Sequence, residues 1–263
     1  MPELPLLSIV TITHNDLPGL QRTAASLPRP LPEGVEWHVV GGGEESALRR
    51  MLEADGRCTW VSDANAGVYD AMNRGTDETA GRWLLYLNGG DALHGIHGLD
   101  KLVEVLRQTD DSQPLLIGGV ANYVLANSRR IKRSPKPAWY INHGMPTLHQ
   151  AIVYPRSLLP TPTYPRHYRV AGDYHTTAYV FSQRPTYRRL HDFEIDFYVG
   201  GTSFVNPRLL VMEAFQVQRS VLGLPWVVCV TSLVFREINM LKLRVRQRAA
   251  TRVDANDLDP RRP

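Results

Sequence analysis

The sequence predicts an α/β protein: a mostly parallel, twisted sheet with helices on both faces, followed by a helical C-terminal extension. Two observations carry that expectation. Over the first 120 residues, short runs of β-branched and apolar residues alternate with helix-patterned segments. Several of these runs are apolar without a polar alternation, as strands covered on both faces are. A third observation points to where function lies. The glycines and acids cluster at the ends of the runs, where ligands collect in sheets of this kind.

The first run, Leu6 to Thr13, reads as a buried strand. Asp16 and Pro18 mark a helix start leading into Leu20–Leu27, since Asp caps free N–H groups and Pro fits the first turn. Glu36–Val40 is a short strand closed by Gly41, Gly42 and Gly43, and a helix over Glu45–Ala54 leads to a strand near Thr59–Ser62. Val68–Ala80 is helical in pattern, and Arg82–Leu87 is an apolar strand running into Asn88-Gly89-Gly90-Asp91. A helix over Gly98–Gln108 and a strand over Leu115–Val120 follow. Ser134–Met145, rich in Pro and aromatics, reads as a surface segment; Gln150–Tyr154 reads as a strand and Gly172–Ser182 as a helix. The character changes near Pro207, which divides the chain into a domain over 1–206 and an extension over 207–263.

At 263 residues, 43% hydrophobic and 21% charged, the chain can bury a core without disulfides or a structural metal. Its two cysteines, Cys58 and Cys229, have neither a zinc spacing nor a disulfide framework, which favours a reducing compartment. No signal peptide is expected at the N-terminus. The expected location is the cytoplasm.

Four local patterns carry chemistry, and each also has an ordinary structural reading. In Asn65-Ala66-Gly67-Val68-Tyr69-Asp70-Ala71-Met72-Asn73-Arg74-Gly75, a glycine opens a helix whose free N–H groups suit a phosphate or ribose. A plain capped helix with a wet Asn-Arg face is the alternative. In Leu87-Asn88-Gly89-Gly90-Asp91, two glycines bring a carboxylate to the end of a buried strand and leave room for a ligand. Magnesium or manganese takes one or two carboxylates and completes its shell with water and phosphate. Asp91 suits that role, or it simply ends a Gly-Gly turn. Asp173 lies in Val170-Ala171-Gly172-Asp173-Tyr174-His175, where a helix N-cap is the simpler assignment. His149 and Gln150 precede an apolar strand, where a lone His is more often structural.

Taken together and in order, these patterns resemble the family 2 glycosyltransferases of GT-A fold, in particular the branch that builds bacterial polysaccharides and glycolipids. Thr11-Ile12-Thr13-His14-Asn15 is similar to the family's first-strand Thr-x-Thr-Tyr-Asn pattern. Asn65–Gly75 matches Asp-x-Gly-Ile/Val-Tyr-Asp-Ala-Met-Asn-Lys/Arg-Gly except at its first position, and Leu87–Asp91 stands for the DxD motif. His149–Tyr154 and Ala171–Tyr174 correspond to two further segments, so the resemblance covers roughly residues 6 to 195. It implies an inverting transferase that moves a sugar from a nucleoside-diphosphate-sugar donor to a glycan or lipid-linked acceptor. Thr11, Thr13 and Asn15 would line the nucleoside pocket, and Asn65, Gly67, Asn73 and Arg74 would meet the donor's phosphates and sugar. Asp91 would hold a divalent metal, Mg or Mn. Asp173 would act as general base, with His149 near the diphosphate. Two departures, Gly41–Gly43 where the family carries an acid and Asn65 where it carries Asp, bear on donor identity. A silent carbohydrate- or nucleotide-binding protein on the same fold and a nucleotidyltransferase are the alternatives.

Val221–Phe235 is 15 residues without a charge, shorter than the ~20 that span a bilayer. It contains Trp226 and is followed by six basic residues between Arg236 and Arg252 against one acid, Glu237. That pattern fits peripheral contact with an anionic membrane on its inner face, or a core or dimer helix. No aromatic-rich reading surface accompanies the basic run, and no nucleic-acid partner is expected.

Overall fold

The structure, a computed structural model, describes residues 4–42, 45–63, 67–95, 97–110, 113–125, 127–198 and 207–234. Its N-terminal half follows the alternation. Strand β1 (Leu7–His14) leads to α1 (Leu17–Ser26), where the Asp16 carboxylate accepts a hydrogen bond from Gly19 N at 2.8 Å. Then come β2 (Val35–Gly42), α2 (Glu45–Asp55), β3 (Cys58–Ser62), α3 (Val68–Asp77) and β4 (Trp83–Tyr86). The four strands lie side by side in the order β3-β2-β1-β4, all parallel.

Beyond β4 the sheet turns mixed. Strands β5 (Ala92–Leu93), β6 (Leu115–Val124), β7 (Arg130–Arg133), β8 (Ile152–Pro155) and β9 (Thr186–Tyr198) extend it as β4-β8-β6-β9-β5, with β7 against β6. Only β6 and β9 pair in parallel here; β8 runs antiparallel to both β4 and β6. The expectation of a mostly parallel sheet therefore holds for the N-terminal four strands and is corrected beyond them. The physical reason is that β8 arrives through a short 3-10 turn, His149–Ala151, instead of a crossover helix, which parallel neighbours require.

Two apolar layers sandwich the sheet. Leu7, Ile9, Trp37, Leu85 and Leu87 face α1, α2 and α4 (Gly98–Arg107). Val10, Leu84, Tyr86 and Tyr154 face α3. A third cluster joins α5 (Gly172–Ser182) to α6 (Pro207–Ser220) through Tyr174, Ala178, Ala214 and Val217. The C-terminal helical part is thus present and packed, and a further helical run occupies 226–234. The boundary expected at 206/207 adjoins residues 199–206, which lie outside the described residues.

Candidate active site

At the carboxyl ends of β1, β2 and β4, two of the sequence patterns meet, Thr11–Asn15 and Leu87–Asp91. Asn15 takes a positive φ of 51° and its N–H bonds to Gly42 O at 3.1 Å, which ties the end of β1 to that of β2. Gly89 lies so close to β1 that a Cβ there would sit 3.0 Å from Thr13 Cβ. Gly90, at φ 103°, turns the chain, and Asp91 N closes the turn on Asn88 O at 3.0 Å. Thr23 on α1 holds this turn: its hydroxyl donates to Asp91 O at 2.7 Å and accepts from Gly90 N at 3.0 Å. Packing against Thr13 requires the glycine at 89, and the positive φ favours one at 90.

Asp91 is 5% exposed, and burial pushes its carboxyl up to about 8. The Tyr198 backbone N–H, the Gln150 side chain and the Arg22 cation counter that shift in part. Arg22 lies over the Tyr198 ring, 4.1 Å from its centroid, and donates to Gly90 O at 3.2 Å. Asn88 Oδ1 is buried with no hydrogen-bond partner, while Asn88 O accepts from Asp91 N at 3.0 Å. An orphaned acceptor and a desolvated carboxyl on one tight turn suit a divalent cation, because both gain from a positive charge. Among the described residues no group of three or more His, Cys, Asp or Glu side chains could hold a metal by itself. A metal held here would take much of its shell from water and donor phosphates, as magnesium and manganese commonly do.

Asp173 opens the second half of the site. It is not the N-cap of α5, a position filled by Ala171; it lies in the first turn, partly buried, and accepts from Tyr174 N at 2.7 Å. Tyr69, on α3, reaches across to this segment: its hydroxyl donates to Val170 O at 2.7 Å and accepts from Gly172 N at 2.9 Å. Thr177 Oγ1 donates to Asp173 O and pairs with Tyr154 OH, each at 2.7 Å.

The neighbours His149 and Gln150 join the two halves. Gln150 meets Asp91, whereas His149 Nε2 pairs with Tyr164 OH at 2.7 Å inside a cluster of Tyr86, Tyr154 and Tyr164 rings. Burial drives His149 down to about 3, so the ring is neutral at pH 7 and offers no cation to a phosphate. His149, expected near the diphosphate, is placed by the structure in this buried aromatic cluster.

Three other residues expected at the donor also hold partners within the fold. Thr11 is fully buried and its hydroxyl accepts from Trp37 Nε1 at 2.9 Å, so it faces the core layer. Asn73 clamps the backbone of Tyr164, accepting from its N–H and donating to its O, both at 2.8 Å. Arg74 sits near the far end of α3 and pairs with Glu78 at 2.8 Å. Gly67 does cap α3 at its exposed N-terminus, and Thr13 and Asn15 lie at the strand edge. Asn65 lies outside the described residues. Sequence reasoning missed Arg22 and Tyr198, and noted Gln150 only as a neighbour of His149. Gln150 could have been found from that pairing; a lone Arg on a helix and the last residue of an unexpected strand gave no signal.

Known proteins share this fold. No family profile matches the chain. A PGL/p-HBAD biosynthesis glycosyltransferase of Mycobacterium bovis is 34% identical over 191 residues, covering 68% of this chain and 70% of that protein. The chain belongs to the family 2 glycosyltransferases. An uncharacterised glycosyltransferase of Mycobacterium tuberculosis is 34% identical over 109 residues; the match spans 40% of this chain and only 42% of that relative. Among solved structures, S. aureus TarS 1-349 in complex with UDP-GlcNAc superposes with a TM-score of 0.62 at 14% identity, over 82% of this chain and 65% of TarS 1-349. A Pyrobaculum calidifontis mannosyltransferase in complex with GDP-Man and Mn2+ gives 0.58 at 16%, over 82% of this chain and 64% of its own. These likenesses establish a glycosyltransferase fold for this family 2 member.

Proposed function

We propose that this glycosyltransferase moves a sugar from a nucleoside-diphosphate-sugar to an acceptor hydroxyl, with inversion at the anomeric carbon and with a divalent metal. The carrying observation is the Asn88–Asp91 turn: a desolvated carboxyl and an orphaned acceptor at the strand ends, beside the Arg22 cation. A Mg or Mn ion held at Asp91 and Asn88 would neutralise the charge of the leaving diphosphate as a Lewis acid. Thr13, Asn15 and the α3 N-terminus at Gly67 border the region left for the nucleotide.

Asp173 is the proposed base. Its carboxylate takes the proton of the acceptor hydroxyl as that oxygen bonds to the anomeric carbon and the bond to the diphosphate oxygen breaks. The relative named for PGL/p-HBAD biosynthesis favours a glycan or lipid-linked acceptor. Attack opposite the leaving group requires the product to carry the inverted anomeric configuration. Proton NMR of the product reads this from its anomeric coupling constant, and retention would overturn the single-displacement mechanism.

Peripheral membrane contact belongs to the same proposal. Among the described residues no helix is long and apolar enough to cross a membrane. The run 226–234 nevertheless buries Cys229 and Ser232 while exposing Trp226, Val227, Val230 and Val234, an apolar stripe followed in sequence by the basic tail. Such a stripe with cationic neighbours suits an anionic leaflet. Replacing Trp226 and Val230 by Ser leaves the fold intact, because both are exposed, and is expected to weaken co-sedimentation with phosphatidylserine vesicles. Equal co-sedimentation of variant and wild type would remove the membrane reading.

A further inference from the structure

Glu213 has a placement that its position on α6 does not suggest. It is 5% exposed, and its carboxylate accepts three consecutive backbone N–H groups: Arg169 N at 2.9 Å on Oε1, and Val170 N at 2.9 Å and Ala171 N at 2.8 Å on Oε2. A buried carboxylate is costly unless so satisfied, and bonds to a charged acceptor are about twice as strong as neutral ones. The three amides directly precede Gly172 and Asp173. On the other side of the same segment, the Tyr69 hydroxyl bonds Val170 O and Gly172 N.

The backbone leading into Asp173 is therefore held from two elements. Arg169, Val170 and Ala171 bond to α6, and Val170 and Gly172 to α3. Helices α6 and α5 also meet through an apolar patch, Ala214 and Val217 against Tyr174 and Ala178. An apolar patch fixes distance but tolerates sliding; three charge-assisted bonds from one carboxylate fix direction as well.

We propose that Glu213 is a positioning residue for the Asp173 base, so that the C-terminal helix α6 completes the active site. This rests on Asp173 being the base. Glu213 touches no reacting atom; it holds the peptide run from which the Asp173 carboxylate projects toward the acceptor hydroxyl. A displacement of about 1 Å at a reacting group costs up to about 10²-fold in rate.

The experiment measures turnover of UDP-, GDP- and dTDP-sugars, and binding of UDP and GDP with Mn2+, for full-length Glu213→Gln, Asp173→Asn and the double variant. Glu213→Gln is expected to lower kcat about 10- to 100-fold, with nucleotide affinity within about twofold of wild type, and to cost nothing further in the Asp173→Asn background. Glu213→Asp, which keeps the charge but withdraws it by one methylene, carries the same test if the Gln variant does not fold, and is expected to lose kcat without losing nucleotide affinity. Wild-type kcat in the Glu213 variants, an equal loss in the Asp173→Asn background, or parallel loss of nucleotide affinity and kcat each overturn the positioning role. An unchanged kcat in Asp173→Asn, or no turnover of any donor by the wild type, overturns the base reading and this inference with it.

Discussion

Asp173→Asn is expected to lower kcat by about 10²–10⁴-fold, the usual contribution of a general base, while nucleotide binding stays near the wild-type value. The split follows from geometry. Asp173 lies in the first turn of α5, tied through Tyr69 and Thr177 to the aromatic layer around Tyr164, whereas the turn bearing Asp91 is held by Thr23, Arg22 and Gln150. Amide for carboxylate keeps an oxygen to accept from Tyr174 N and removes the charge that takes the proton. Single-turnover kinetics with pre-bound donor read the chemical step directly. A variant that loses nucleotide affinity in proportion to rate would show that Asp173 binds substrate and does not take the proton.

Asp91→Asn is expected to act oppositely on stability and activity. In the folded chain the carboxyl is raised to about 8, while in the unfolded chain it titrates near the ordinary 3.8. Between those values unfolding releases a proton, so stability falls as pH rises from about 4 to about 8 and levels off above. Each pH unit in that window is worth up to about 1.4 kcal/mol. The Asn variant has no such slope. Without metal it should match wild type below about pH 4 and melt several degrees higher near pH 8, while transfer is lost. Metal binding requires the ionised form, so below about pH 8 it releases a proton and strengthens as pH rises. A stable protein that becomes more stable when a buried acid is removed is retaining that acid for function. Identical pH slopes in variant and wild type would contradict the desolvation of Asp91.

The parts of the fold legible in the sequence were those whose pattern is local. β1 is an unbroken apolar run, α1 begins with Asp16 and Pro18, and α5 was bounded correctly at both ends. The strand β9 was not legible. Phe193, Ile195 and Phe197 alternate with Glu194 and Asp196, but the charged run Arg188–Asp192 breaks the pattern, and the two acids look solvent-facing until Lys132 and Arg130 on β7 pair with them and Asn122 on β6 donates to both. The edge strand β7, Arg-Ile-Lys-Arg, is hidden for the same reason.

The candidate site divides similarly. Motif residues such as Thr13, Asn15, Gly89 and Asp91 sit at strand ends and turns, as their pattern suggests. Within regular elements the pattern does not show the partners the fold supplies: Thr11 alternates into the core, Asn73 turns its amide to the Tyr164 backbone, and Arg74 finds Glu78 one helical turn away. Glu213 carries no motif at all. Its function depends on three amides some forty residues earlier, which only the folded chain brings to it.

The measurement that tests the central claim most directly is a thermal-shift titration of wild type and Asp91→Asn with UDP-, GDP- and dTDP-sugars, with and without Mn2+. One nucleotide class at about 100 times its dissociation constant adds about 2.7 kcal/mol, a rise of roughly 5–10 °C for a chain of this size. The account predicts that rise for wild type with Mn2+, and its loss without the metal or in the variant. If no nucleotide moves the melting temperature of wild type, with or without metal, the strand-end site is not a donor site.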